Sequence, residues 1–419
     1  MEILSTGEKI KRIRIYHGVT LKELCGDKVS ISKMSCIENG KIKADKDILE
    51  YISQKLNIDY DYLVSDVKEQ LINNLEIIKK NTVEENKEEV LKNNINYALE
   101  YSYDDLAFEF THILFNFYVE KDKIENIQTI VSQYYDLYQK NNTPDNTIIY
   151  YTDMAEFFYS TKEYNEAINY YNRIKPLLKK KEELDINKYS YICYKEGMSY
   201  LNICNLEQAY NSLKEAISYV DNLEDDNKKG NLYQAFARIN ILLNNEGKEK
   251  YINLSYSYKE DNLMNLAIAK GENGKCFFAI NNKERALKEI KEGINLFPKE
   301  NKSEYVKFLN SCAEALYDNE EYDYSYEITD SALNCAIENN DIIQIEQAYY
   351  LKGMILQKQG MYDQAETYMN LSLDSLLKFS NKEQKYKRYL DMAEMYHKLG
   401  ETRDSLKYLG LAIKLEKDK

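Results

Sequence analysis

Six segments of this chain repeat one pattern, and that repeat constrains the fold more than any other feature. The segments are KEYNEAINYYNRI (162–174), NLEQAYNSLKEAI (205–217), NKERALKEIKEGI (282–294), EEYDYSYEITDSAL (320–333), MYDQAETYMNLSL (361–373) and TRDSLKYLGLAI (402–413). Each carries a small residue early in an amphipathic helical run: Ala167, Ala209, Ala286, Ser325, Ala365 and Ser405. The intervals are 42, 77, 39, 40 and 40 residues. The interval of 77 predicts a degenerate unit near Tyr251, and an earlier unit fits near Ile127 with FEFTHILFNFY as its first helix. Twelve positions before each anchor stands a second small residue: Ala155, Gly197, Gly274, Ala313, Gly353 and Ala393. Small residues facing each other let two helices approach closely, so each unit predicts a helical hairpin.

Composition supports helix throughout. The 419 residues include 14 Gly and 3 Pro, about 4% together, against roughly 12% in an average protein. So few breakers argue against Gly-rich βαβ crossovers and turn-dense sandwiches. The seven Cys have no pair at CxxC spacing, and the three His do not cluster with them. We therefore expect reduced, mostly buried thiols, no metal and no cofactor. No P-loop, dinucleotide fingerprint or nucleophile elbow occurs, which argues against an ordinary enzyme. MEILSTGEKIKRIR lacks the apolar segment of a signal peptide, and no apolar run approaches membrane-spanning length. The expectation is a cytoplasmic protein with no membrane partner.

The first 66 residues differ from the rest. Net charge is −14 overall, yet residues 1–46 hold ten Lys or Arg against six Asp or Glu. A basic tip on an acidic body suits contact with nucleic acid through the tip alone. Residues 7–16 predict a helix with Ile3, Ile10 and Ile13 on one face. Thr20 and Glu23 predict a capping box before a short second helix over 21–25. Ser30 or Ser32 caps a third helix that ends at Gly40, with Met34 and Ile37 inward. DILEYISQKLNI and DYDYLV predict two more helices, the last returning Tyr62 and Leu63 to the bundle. In a helix-turn-helix the third helix lies in the major groove with its N-terminal residues at the base edges. Ser32, Lys33 and Ser35 are then the residues nearest the bases, and Lys9, Arg12, Lys41 and Lys43 the phosphate contacts. A head this small gains affinity as a pair on two half-sites, so a homodimer is expected.

This head resembles the Xre/Cro-type helix-turn-helix family through GEKIKRIR (7–14), GVTLKEL (18–24) and SCIENGK (35–41). The resemblance implies a structural Glu38 paired with Arg14 or Arg12. The repeats resemble the tetratricopeptide family, whose usual spacing is nearer 34 residues. The expected fold is thus all-α: a five-helix head over 1–66, a helical linker over 67–100 with KKNTVEENKEEV (79–90) as exposed junction, and a right-handed α-solenoid of about eight hairpins over 101–419. Stacked hairpins of this kind present their first helices on a concave face. In this register the inward residues are Tyr194, Met198 and Asn202, then Asn240 and Asn244, Lys275 and Phe278, Asn310 and Glu314, and finally Tyr350 and Gln357. Asparagine offers a donor and an acceptor together, which suits clamping an extended peptide backbone.

Head and repeats together resemble the peptide-responsive regulators of the Rgg, Rap, NprR, PlcR and PrgX group, with the clostridial RstA-like regulators of sporulation and toxin production as the nearest branch. That resemblance implies a regulator binding double-stranded DNA as a homodimer, with a short signalling peptide in the repeats as in quorum sensing. It equally implies an alternative, a Rap-like module acting on a response regulator; a ligand-free DNA-binding scaffold is the third reading. The last repeat, with Leu406, Leu409, Leu411, Ile413 and Leu415, carries more apolar surface than a solvated cap needs and is the expected dimer or capping contact.

Overall fold

A computed structural model describes residues 3–80 and 86–417. Helices α1 (Thr6–Tyr16), α2 (Leu21–Cys25), α3 (Ile31–Glu38), α4 (Lys46–Leu56) and α5 (Tyr60–Val64) come first. They close around Ile10, Leu24, Met34, Ile37, Ile52, Leu56 and Leu63. The expected capping box is present at α2, where Thr20 Oγ1 accepts from Glu23 N and the Glu23 carboxylate accepts from Thr20 N. Ser30, and not Ser32, caps α3. Gly40 ends α3 at φ +68°, with Lys41 N donating to Cys36 O and Gly40 N to Ile37 O, the bond pair of a Schellman turn.

Two side chains hold this bundle in register. Arg14 donates through Nε to Glu38 Oε1 at 2.7 Å, through a terminal nitrogen to Oε2 at 3.1 Å, and to Val19 O at 3.0 Å. The guanidinium thereby ties α1 to α3 and to the turn before α2, and Arg14 is the arginine that Glu38 selects. Gly7 has no alternative, because a Cβ there would sit 2.2 Å from Ile37 O. Leu63 returns to the bundle core, and Tyr62, 42% exposed, lies at its edge with the Lys9 ammonium of α1 4.8 Å from its ring centre. One expectation fails here. Ile3 is buried, but against α6 (Val67–Lys79), among Val67, Leu71, Leu75 and Ile78.

Leu4 also pairs with α6: Leu4 N donates to Gln70 Oε1 and Gln70 Nε2 donates to Leu4 O. The chain start is thus tied to α6 through main-chain atoms, and α6 buries one face as core. Residues 81–85 of the expected junction lie outside the described residues. Helix α7 (Lys87–Glu100) follows.

Helix pairs then succeed one another. They are α8 (Asp104–Glu120) with α9 (Ile124–Lys140), α10 (Pro144–Ser160) with α11 (Tyr164–Lys179), α12 (Ile186–Asn202) with α13 (Leu206–Ile217), and α14 (Asp226–Leu242) with α15 (Lys248–Ser257). After them come α16 (Leu263–Ala279) with α17 (Lys283–Leu296), α18 (Lys302–Asp318) with α19 (Tyr322–Glu338), α20 (Ile342–Lys358) with α21 (Tyr362–Leu376), and α22 (Lys382–Leu399) with α23 (Thr402–Lys417). Contacts divide the chain into two compact units, Met1–Asp185 and Ile186–Lys419.

The small residues of the first helices make room for the second helices, chiefly for the large residue four positions past each anchor. A Cβ on Gly197, Gly274 or Gly353 would meet Leu213, Ile290 or Met369 of the second helix at 2.6–2.7 Å. Where the anchor is serine, it satisfies itself across the contact: Ser325 Oγ donates to Ala313 O at 2.7 Å and Ser405 Oγ to Ala393 O at 2.8 Å. The within-hairpin turns share a device of their own. Asp122, Lys162, Cys204, Asn244, Asn281, Glu320, Gly360 and Gly400 all have positive φ. In each turn the next amide donates back into the first helix, as in Lys123 N to Tyr118 O and Glu321 N to Leu316 O. Six of the eight turns use a residue other than glycine, which is how a chain with 14 Gly makes so many reversals.

Candidate functional site

In the head, Ser32 is exposed and Ser35 half-buried on α3, three residues apart and so on one face. Ile31, at the start of the same helix, is 49% exposed and adds an apolar contact there. Lys41 and Lys43 are exposed in the segment after α3, and Arg12 is exposed on α1. Lys33 is half-buried and donates to Asp45 at 2.9 Å, which neutralises it in part.

Lys9 is a correction. Its side chain is fully buried, and Nζ donates to Tyr62 O at 2.7 Å, Ser65 O at 2.7 Å and Ser65 Oγ at 2.8 Å. All three ammonium donors are used, so Lys9 caps the C-terminal end of α5 and has nothing left for a phosphate. Burial pulls its pKa below the ordinary lysine value, with Glu69 and Asp66 opposing.

In the unit from Ile186 onward, the first helices of successive hairpins lie side by side, and cavities open between them. Helices α12, α14 and α16 enclose about 230 Å³. Tyr194 and Met198 enter from α12; Asn231, Gln234 and Arg238 from α14; Asn265, Ile268 and Glu272 from α16; Lys259 from the turn after α15. A second cavity of about 120 Å³, lined by Tyr191, Leu223 and Leu232, shares Tyr194 and Asn231 with the first. A third of about 290 Å³ holds Lys275, Phe278, Ser311, Glu314 and Asp318 between α16 and α18. A fourth of about 300 Å³ holds Tyr317, Met354, Gln357, Asp391 and Lys398.

The floor of the first cavity is wired into the hairpin behind it. Gln234 Nε2 donates to Ala269 O and Asn273 Oδ1, and its Oε1 accepts from Ser255. Asn273 donates to the Tyr256 hydroxyl, which donates to buried Glu289 at 2.7 Å. Lys270 and Arg285 flank that carboxylate. Gln234, Ser255, Asn273, Tyr256 and Glu289 each have a partner, so this chain of bonds fixes the floor in one arrangement. The cations nearer the opening are less satisfied. Lys259 Nζ donates to Asn231 Oδ1 at 2.7 Å, and Arg238 reaches Glu272 only at 3.5 Å.

Of the residues expected to face inward, Tyr194, Met198, Lys275, Phe278, Glu314 and Gln357 line these cavities. Tyr350 stands behind the fourth, its hydroxyl donating to Asp391 at 2.9 Å. The asparagines do not face a cavity. Asn240 and Asn310 are buried between helices, donating to Phe236 O and to Gln344 Oε1. Asn244 is the left-handed turn residue of its hairpin and accepts from Lys248. Asn202 ends α12, exposed, with its carboxamide on Met198 O. The physical reason is common to all four: a short carboxamide finds a partner close by, whether backbone, amide or ammonium, before it reaches a distant groove. The missed residues Asn231, Gln234 and Arg238 fall at i, i+3 and i+7 of α14, a polar stripe in a helix mostly buried from Gly230 onward that the sequence does display.

The unit up to Asp185 has its own polar cluster, drawn from α8, α9 and α10. Asp153 is buried on α10 and accepts from Tyr134 at 2.6 Å and from Asn116 at 3.2 Å, while His112 Nδ1 lies 2.6 Å away. Among the described residues no three His, Cys, Asp or Glu are placed to hold a metal ion, and no helix is long and apolar enough to cross a membrane.

No family model matches the chain. No curated protein matches it either. Among solved structures, the apo form of the quorum sensor NprR from B. thuringiensis aligns with 84% of this chain and 100% of its own, at 14% identity and a TM-score of 0.49. A Rap protein complexed with Competence and Sporulation Factor covers 84% of this chain and 98% of its own, at 15% identity and 0.47. PlcR from Bacillus thuringiensis, in complex with the peptide PapR7 and DNA, covers 95% and 98%, at 16% and 0.22. Likenesses this distant assign no function to this chain.

Proposed function

We propose that this protein is a peptide-sensing regulator: a short peptide lies along the first helices of the repeats, and the head carries the output to double-stranded DNA. The observation that carries the proposal is the row of cavities between successive first helices, joined to a chain start whose α2 and α3 have the caps, the turn and the Arg14–Glu38 tie of a helix-turn-helix. A ligand touching several hairpins must favour one arrangement of them over another to regulate anything, because equal affinity for both shifts nothing. The reader is taken as residues 1–66, joined through 67–100 to repeats over 101–419 of right-handed twist. A homodimer would form through α23, where Leu406, Leu409 and Ile413 make an exposed apolar stripe. Sporulation or toxin control, in the RstA-like manner, is the physiological output this reading expects.

A second reading has a specific observation behind it. With Lys9 withdrawn from the phosphates by burial and Lys33, expected at the bases, paired to Asp45, the head offers nucleic acid fewer free cations than its sequence promises. That favours a Rap-like role in which the repeats bind a response regulator. The deciding experiment is recovery of DNA crosslinked to the protein in its native cell, beside a Ser32→Ala, Ser35→Ala variant. Sharp sites that vanish in the variant support the DNA reading; no enriched site with abundant folded protein transfers the weight to the protein-binding one.

A further inference from the structure

We propose that Arg238 and Lys259 form a carboxylate subsite in the groove, so that the peptide it takes presents a carboxylate beside an apolar side chain. This rests on the peptide-sensing reading. Lys259 is 7% exposed, its ammonium has three donors, and one of them is used, on Asn231 at 2.7 Å. No carboxylate stands within ion-pair distance of it among the described residues. Arg238 meets Glu272 only at 3.5 Å, and its Nε is buried without a hydrogen-bond partner. Both side chains line the same cavity of about 230 Å³.

A buried cation without a counter-charge is costly, and folding alone gives no reason to keep it. Burial duly draws the Lys259 pKa below the ordinary value, with Glu272 acting the other way. An incoming carboxylate would satisfy the spare donors of Lys259 and pair with the terminal nitrogens of Arg238, whose planar guanidinium matches a carboxylate in shape and is held by Glu272 only at 3.5 Å. Glu272 offsets only one of the two cations, so the cavity is cationic within an acidic chain. The adjoining cavity, of about 120 Å³, is mainly apolar and shares Tyr194 and Asn231 with the first. It is sized for one aliphatic or aromatic side chain. An apolar residue bearing its free C-terminal carboxylate would fill both, as would an Asp or Glu next to an apolar residue.

The two sources are separable with a defined probe. The full-length chain is incubated with a pool of random heptapeptides synthesised in two forms, free C-terminal acid and C-terminal amide, and the retained peptides are sequenced by mass spectrometry. Wild type is compared with Arg238→Gln and Lys259→Met, each checked for an unchanged circular dichroism melt. Lys259→Met removes a buried charge and should fold at least as well. Enrichment of acid over amide forms, tenfold or more and lost in either variant, assigns the C-terminal carboxylate. Enrichment of Asp or Glu at a fixed distance from an apolar residue in both forms, lost likewise, assigns a side chain. Peptides retained without any carboxylate preference, or undiminished by a folded variant, overturn the subsite and leave the peptide reading standing. No peptide retained at all overturns both.

Discussion

Substituting Lys9 by methionine separates a structural lysine from a DNA-binding one. The change deletes the charged donor to Tyr62 O, Ser65 O and Ser65 Oγ, leaving the two carbonyls only the neutral donors Ser65 Oγ and Gln70 Nε2. Hydrogen bonds to a charged group each contribute roughly 1.5–3 kcal/mol, and they are not additive. Against that loss stands relief from burying an ammonium, the larger influence on this group. A net destabilisation of the head of about 3 kcal/mol follows, larger than a surface substitution gives. Because each 1.4 kcal/mol is a factor of ten, local opening becomes roughly a hundredfold more frequent. Hydrogen exchange on the intact chain, read on peptides covering 6–16 and 60–65, measures that opening directly. A lysine used on a phosphate predicts a different outcome: unchanged exchange, weaker DNA binding and a salt dependence lower by about one charge. Unchanged exchange would refute the structural role argued for Lys9.

Further expectations concern packing, turns and pH. A Gly274→Val chain should be destabilised by at least about 1–3 kcal/mol, because its new atoms meet Ile290 and the Ala286 carbonyl, whereas Gly410→Ala, with nothing within 4 Å, should stabilise α23 by roughly 0.5–1 kcal/mol in urea titrations. Lys162 and Glu320 hold left-handed turns at φ +64° without being glycine; replacing either by Gly should raise stability by about 1 kcal/mol, and a fall in melting temperature would count against the strain. Hydrogen bonds from Lys123 and then Lys92 hold Glu88 at about 2, below its ordinary 4.5. A depressed carboxylate stabilises fully above the unfolded value and loses that contribution as pH falls from about 4.5 toward 2. Melts of wild type and Glu88→Gln should therefore differ at neutral pH and converge in acid; a gap independent of pH would dismiss the pairing. Glu38→Gln should cost the head about 3 kcal/mol, since it leaves the Arg14 guanidinium, 13% exposed, without its charge partner.

Much of the architecture was legible without coordinates because it rests on local rules. The capping box at Thr20, the stop at Gly40 and the pairing of small residues twelve apart each depend on a few neighbours in sequence. So few Gly and Pro leave the turns to Asn, Asp and Lys, and Asp122, Lys162, Asn244 and Asn281 do hold left-handed turn positions; Cys204 and Glu320 hold two more that no local pattern marks. Periodicity told which face of a first helix is small and apolar. It does not tell how far a polar side chain reaches before meeting a partner, and so the asparagines expected in the groove close helix ends and interhelical contacts instead.

What the sequence by itself determined is therefore the helices, their pairing into hairpins and the plan of the head, since periodicity, caps and close approach act over one or two turns. Tertiary structure alone decided the fate of the charges. Lys9 lies fifty-three residues from the carbonyl it caps, and Lys259 and Arg238 come from different elements into one cavity. Whether a lysine is solvated, satisfied or left waiting for a counter-charge depends on what distant segments place around it, and no local pattern encodes that environment.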